Sequence, residues 1–155
     1  MAPRSRSAPR WLDPSEMAAW RSFVDSSAAV MAAVDADLQA GAGIGAGDYG
    51  VLVNLSEADD HRLRMCDLAA SLHLSPSGLT RRLDGLVRAG LVERVPSDDD
   101  RRVMLAVLTD AGRQLLERAA PEHVDSVRRH FVDRLTTGQL DVLAGALAPI
   151  ARGRI

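Results

Sequence analysis

The chain has 155 residues, 46% of them hydrophobic and 26% charged, proportions that suit a globular protein with a packed core and a length too short for a large two-domain enzyme. Its 19 basic side chains are all arginine and face 21 acids, a net charge of -2, which excludes a histone-like polycation. Charge is segregated nonetheless: residues 62–102 hold eight arginines against six acids, leaving eleven against fifteen elsewhere, so a basic surface is expected in the middle of an otherwise acidic chain.

Residues 1–12, with Arg4, Arg6 and Arg10 among prolines and serines, read as a flexible basic arm. The arm lacks the apolar stretch of a secretory signal, and no run approaches the roughly 18 apolar residues of a membrane span. The single cysteine, Cys66, cannot form an intramolecular disulfide. A cytoplasmic protein without membrane contact is expected.

Asp13-Pro14-Ser15 is a helix start, after which Met17, Trp20, Val24, Ser27, Met31, Val34 and Leu38 recur in steps of three and four. Only Ser27 interrupts this coiled-coil-like seam, and the alanines between permit close approach of a second helix. Gly41 to Gly47 ends the segment, so residues 13–47 are expected to be an N-terminal dimerisation helix and loop. The loop leads into Gly45-x-Gly47-x-x-Gly50, formally a dinucleotide fingerprint. It follows a helix rather than a strand, and no nucleotide site is assigned. A shorter helix starts near Asp48 and runs through Val51, Leu52 and Leu55.

Leu63-Arg64-Met65 reads as a short extended piece, and Cys66-Asp67 opens a helix through Leu68, Ala69, Ala70 and Leu72. After His73-Leu74, Ser75-Pro76-Ser77 supplies an N-cap hydroxyl and a proline at the first helical position. The helix that follows turns Leu79, Leu83, Leu86 and Val87 inward and Ser77, Arg81, Asp84 and Arg88 outward. Gly90 ends it, with Leu91 folding back. Two helices across a tight turn, the second displaying polar and cationic side chains, form the helix-turn-helix pattern. Leu91 to Val95 and Val103 to Leu108 then read as strands around Pro96 to Arg102, a hairpin that makes the module a winged helix over residues 48–109.

Thr109-Asp110 caps a helix bearing Leu115, Leu116, Ala119, Val124, Val127 and Phe131, with a kink expected at Pro121. Thr136 to Gln139 is a capping box for a last helix striped by Leu140, Leu143, Leu147 and Ile150. Residues 110–155 have no partner inside a winged-helix core, so they read as C-terminal dimerisation helices of a homodimer. The fold class is mainly α with a small β-hairpin wing: a winged helix-turn-helix between N- and C-terminal dimerisation helices.

The sequence resembles the MarR (multiple antibiotic resistance regulator) family of bacterial transcription factors. The resemblance is carried by Ser75-Pro76-Ser77-x-x-Thr80-Arg81-x-x-Asp84-x-Leu86, Gly90-Leu91-Val92-x-Arg94, Asp100-Arg101-Arg102 and Leu108-Thr109-x-x-Gly112, in the right order across residues 48–115. It implies a triangular dimer with interlocked first and last helices, recognition helices in successive major grooves of a pseudo-palindromic operator, and wings in the flanking minor grooves. Family members mostly repress nearby genes and often release DNA when a small phenolic ligand binds or a cysteine is oxidised.

On that placement the DNA-binding set is Ser75, Pro76, Ser77, Thr80, Arg81, Asp84, Arg88, Arg101 and Arg102. The hydroxyls would donate to phosphates or contact base edges, Arg81 would read guanine O6 and N7 bidentately, and Arg101 would probe a groove from the wing. Asp100 would orient its neighbouring arginines, since phosphate repels its charge. The basic region has no aromatic residue on which unpaired bases could stack, so duplex DNA is expected rather than RNA. Trp11, Trp20, Phe23 and Tyr49 are expected in the helical part beside this module, as walls for a planar effector or as core filling.

Cys66 stands where similar proteins commonly place a helix-capping Ser or Thr, and no redox role is assigned to it. His123 and His130 are seven apart, with His61 and His73 far off in sequence, so neither a metal nor another cofactor is expected. Nothing has nucleophile-elbow spacing, and an enzyme is not expected. The competing reading is a winged-helix dimer that binds a protein or a ligand but no operator.

Overall fold

The computed structural model describes residues 9–152, so most of the expected arm lies outside the described residues. Helix α1 (Pro14–Ala42) opens on a reciprocal capping box: the Asp13 carboxylate accepts from the Glu16 amide at 2.8 Å, and the Glu16 side chain accepts from the Asp13 amide at 2.9 Å. It ends at Gly43, left-handed with φ 68°. Helix α2 (Ala46–Ser56) starts two residues ahead of the expected module boundary. Strand β1 (Arg62–Arg64), helices α3 (Met65–Ser71) and α4 (Pro76–Arg88), strands β2 (Val92–Pro96) and β3 (Met104–Leu108), and helices α5 (Asp110–His130) and α6 (Thr137–Arg152) follow.

The wing is a three-stranded antiparallel sheet in the order β1-β3-β2, not a hairpin alone. Val92 faces Leu108 and Pro96 faces Met104 across one ladder, while Arg62 faces Val107 across the other. The extended piece expected at 63–65 is thus shifted by one residue. Met65 opens α3 instead, its side chain packed against the core.

That core joins Leu52 and Leu55 of α2, Leu68 of α3, Leu79 and Leu83 of α4 and Val92 of β2, all at most 1% exposed. Each such leucine contributes roughly 1.5–3 kcal/mol through burial. Val34 and Leu38 of α1 and Ala119 of α5 close it from the other side, where α1 and α5 pack along one another. There Asp37 Oδ2 accepts hydrogen bonds from the buried Ser126 hydroxyl at 2.7 Å, His130 Nε2 at 2.9 Å and Arg129 Nη1 at 3.0 Å. These donors, the Ser126 hydroxyl first, hold the Asp37 carboxyl below its usual range. Helix α5 continues through Pro121 as one element.

Only the C-terminal end of the α1 seam is covered. Trp20, Phe23, Val24 and Met31 are exposed, and no described side chain of α6 is buried. Helix α6 packs on no other described element beyond isolated contacts, and its Val142 is 73% exposed. No described helix is long and apolar enough to cross a membrane.

Candidate nucleic-acid interface

The turn between α3 and α4 rests on two backbone bonds, from the Leu74 amide to the Ala69 carbonyl at 2.9 Å and from the His73 amide to the Ala70 carbonyl at 3.2 Å. This helix ending needs a left-handed residue, and His73 fills the place with φ 52°, at a cost of about 1–2 kcal/mol relative to glycine. The chain then enters α4 at Ser75, whose Oγ accepts from the Gly78 amide at 3.1 Å, with Pro76 in the first turn. Ser77 Oγ lies 3.2 Å from Ser75 Oγ. The Thr80 hydroxyl donates to the Pro76 carbonyl at 2.9 Å. Its proton is therefore used inside the helix, and outward it offers an acceptor and a methyl group, which suits contact with base edges rather than donation to phosphate, the two roles the sequence left open.

Arg81, Asp84, Val87 and Arg88 line an open depression on the free face of α4. Val87, expected inside, is 37% exposed. The three leucines already span the arc that meets the core, and Val87, about 100° beyond Leu86, falls past its edge. Arg88 Nε donates to the Asp84 carbonyl at 3.1 Å. Arg81 is exposed and makes no ion pair with any described residue.

Asp84, placed by sequence in the DNA-binding set, is engaged elsewhere. Its Oδ1 lies 2.8 Å from Nη1 of Arg94 in β2, and the same guanidinium donates through Nη2 to the Thr80 carbonyl at 2.9 Å. One strand side chain thus grips the recognition helix at two points one turn apart, with the planar, two-pronged geometry that arginine supplies. Arg94 was missed as a functional residue, although strand alternation points to it: Val92 is 1% exposed, and the residue two positions on shares its face.

A second junction closes the base of the wing. Helix α4 ends with Gly90 at φ 71°, its amide bonding the Val87 carbonyl at 3.0 Å while the Leu91 amide bonds the Leu86 carbonyl at 2.9 Å. Thr109 Oγ1 donates to the Gly90 carbonyl at 2.8 Å and accepts from the Gly112 amide at 3.0 Å. Gly112 is glycine because a Cβ there would collide with the Leu91 carbonyl oxygen.

At the wing tip the Ser97 amide bonds the Val103 carbonyl, and the Val103 amide bonds the Asp100 carbonyl, both at 2.8 Å. Asp100 Oδ1 accepts from the Arg102 amide at 3.0 Å and from its Nε at 3.2 Å. These bonds, the backbone one first, hold the Asp100 carboxyl below the usual range. Arg102 is tied to the tip, whereas Arg101 is exposed and pairs with no described acid. Arg81 on the helix and Arg101 on the wing are therefore cations with no ion-pair partner among the described residues, on one frame.

The MarR family model matches residues 46–104, from the first turn of α2 to the first residue of β3. AbsC, a MarR family transcriptional regulator from Streptomyces coelicolor, is 41% identical, with 92% of this chain and 96% of AbsC covered and a TM-score of 0.85. The chain belongs to the MarR family. A second member from Streptomyces coelicolor, Sco3205, solved in complex with DNA, is 37% identical over 96% of this chain and 92% of its own, with a TM-score of 0.88. The HTH-type transcriptional repressor YetL of Bacillus subtilis (strain 168) is 35% identical over 57% of this chain and 53% of its own length. The chain spans about half the length of the curated relatives it matches. These relatives are transcriptional regulators, not enzymes.

In this MarR family member the four aromatics expected around an effector do not form one wall. Trp11 is 83% exposed ahead of α1, and Trp20 and Phe23 pair with each other on the exposed part of α1, ring centres 6.2 Å apart. Tyr49 is buried in α2 against His123 of α5, ring centres 4.6 Å apart. His123 Nδ1 is buried with no hydrogen-bond partner among the described residues, and burial pushes its imidazole below the ordinary histidine range. Cys66 is exposed but does not cap α3, whose N-cap is Arg64. Its Sγ lies 3.6 Å from Asp67 Oδ1.

Proposed function

We propose that this MarR family protein is a dimeric, sequence-specific regulator of transcription that binds double-stranded DNA, a repressor released by a small aromatic ligand. The observation carrying this reading is that two exposed guanidinium groups, Arg81 and Arg101, pair with no described acid and sit on a frame braced by Arg94. A cation in no ion pair on a helix face suits bidentate contact with guanine in the major groove, and one on a hairpin tip suits the minor groove. Ser75, Pro76, Ser77, Thr80, Arg88 and Arg102 are left for contacts that fix register on the duplex. Asp84 acts through Arg94.

The exposed apolar parts of α1 and the whole of α6 support the dimer, with residues 13–47 and 110–155 forming it and residues 48–109 reading DNA. Two-fold symmetry then calls for a pseudo-palindrome with half-sites about one helical turn apart. Repression follows the sign of the relative YetL. Of the aromatics, Tyr49, buried at the α2–α5 contact, keeps the effector role in this reading.

Fluorescence anisotropy on a duplex that the protein selects from a randomised pool, repeated across salt concentrations, tests the proposal. Affinity should fall steeply with salt, and failure to select any duplex would refute DNA binding in favour of a dimer that binds protein or ligand alone. Sedimentation should give a dimer that Val142→Glu dissociates; a monomeric parent would refute the role of the outer helices.

A further inference from the structure

Helix α2 begins where charged side chains from two other helices converge. From α1, Asp35 Oδ1 accepts the Ala46 amide at 2.7 Å, capping α2 in place of Gly45, the N-cap residue, which has no side chain to do so. A Cβ on Gly45 would stand 3.2 Å from that same oxygen. From α4, the Arg82 guanidinium lies across Gly47 and pairs with Asp48 at 3.0 Å, in a space that a Cβ at 47 would fill. Two of the three glycines in the spacing that imitates a nucleotide fingerprint thus have another cause: the Arg82 side chain fills the space of a Cβ at 47, and the Asp35 carboxylate crowds one at 45.

Helix α1 has no sizeable contact with α4. The first turn of α2 is consequently a short path from the helix whose outer half is exposed to the helix that carries Arg81. Arg82 counts among the arginines of the basic region, yet it turns away from Arg81 and is neutralised by Asp48. As a half-exposed ion pair it contributes little to stability, but it links two helices that otherwise share few contacts.

We propose that Arg82 is a positioning residue: through Asp48, across the gap left by Gly47, it sets the angle of α4 against α1 and thereby the affinity for an operator, without touching DNA. The proposal rests on the operator-binding reading above. Arg82→Gln, Asp48→Asn, their combination, Gly47→Ala and Arg82→Lys would be compared by anisotropy on the selected duplex and on an unrelated one, with a salt series and thermal melts. Arg82→Gln and Asp48→Asn should each weaken operator binding about fivefold, within the range of ordinary coupling between sites. The double variant should lose no more than one single variant, because the two side chains act as a unit. Gly47→Ala should match them with both charges retained, Arg82→Lys should recover most of the loss, and the salt slope and binding to the unrelated duplex should stay as in the parent.

A salt slope reduced by about one in Arg82→Gln, with Asp48→Asn neutral, would make Arg82 a phosphate contact and overturn the proposal. Equal losses on both duplexes that track the melting temperature would overturn it in favour of a merely structural role. A parent that selects a duplex and variants that bind it equally well would refute this inference alone, whereas a parent that selects none would sink the DNA-binding reading and the inference with it.

Discussion

Replacing Gly112 by alanine should destabilise the protein although alanine is the better helix former. Intrinsic propensity favours the change by about 1 kcal/mol. Against it, the new Cβ would collide with the Leu91 carbonyl oxygen and stand 2.8 Å from Leu108 Cδ1. The backbone oxygen cannot give way alone, because it accepts the Thr109 amide at 3.2 Å, and Thr109 also bonds Gly90 and Gly112. Forcing α5 away from Leu91 should cost about 1–3 kcal/mol as overpacking and about 1 kcal/mol for the weakened cap, a net loss near 2 kcal/mol. Gly85 is the control: a Cβ there meets nothing within 4 Å, so Gly85→Ala should stabilise by up to about 1 kcal/mol. Urea unfolding followed by circular dichroism, at one fixed protomer concentration, reads both. A Gly112→Ala midpoint at or above the parent's, or shifts of the same sign in the two variants, would refute the reasoning.

Three further outcomes are expected. His73→Gly should raise stability by about 1 kcal/mol in the same assay by relieving a left-handed non-glycine residue. Arg81→Ala should weaken operator binding by about 1–3 kcal/mol and relax sequence preference, while Arg101→Ala should lower affinity evenly across sequences and reduce the salt slope by about one. Stability should also fall on mild acidification. Burial depresses the folded-state pKa of His123 below 6.5, so the unfolded chain binds the proton more readily. Its contribution is complete above pH 6.5 and is lost as pH falls toward the lowered value. His123→Phe should flatten this limb in a pH series of urea midpoints. The separate limb from Asp37, whose folded pKa is depressed below 3.8, should remain, its contribution present above pH 3.8 and lost as pH falls through the depressed value.

What local chemistry dictates was legible in the sequence. The Asp13 helix start, the Ser75-Pro76 start of α4, the Gly90 turn and the Thr136 to Gln139 box all involve residues at most a few positions apart, and all form as expected. What depended on distant partners was not. The pairing of β1 with β3 joins residues more than forty positions apart, and three residues of strand are too few to announce a partner. Arg82 and Arg94 look like surface cations until Asp48, Asp84 and the Thr80 carbonyl are seen to receive them. Val87 fits the spacing of the inward stripe but lies beyond the arc that the core can cover. Tyr49 falls with Trp11, Trp20 and Phe23 in the helical part of the sequence beside the DNA-binding module, whereas packing pairs it with His123.

The Arg94 grip on α4 has a consequence for the DNA rather than for the protein. Two bonds tie the wing to the helix, so on the proposed operator the protein would set the distance between the two grooves it enters, and the duplex would deform to match it. Base pairs lying between those grooves, contacted by nothing, would then be chosen by how cheaply they bend or narrow. Flexibility of the intervening steps would be written into the operator as firmly as the guanine that Arg81 is expected to read.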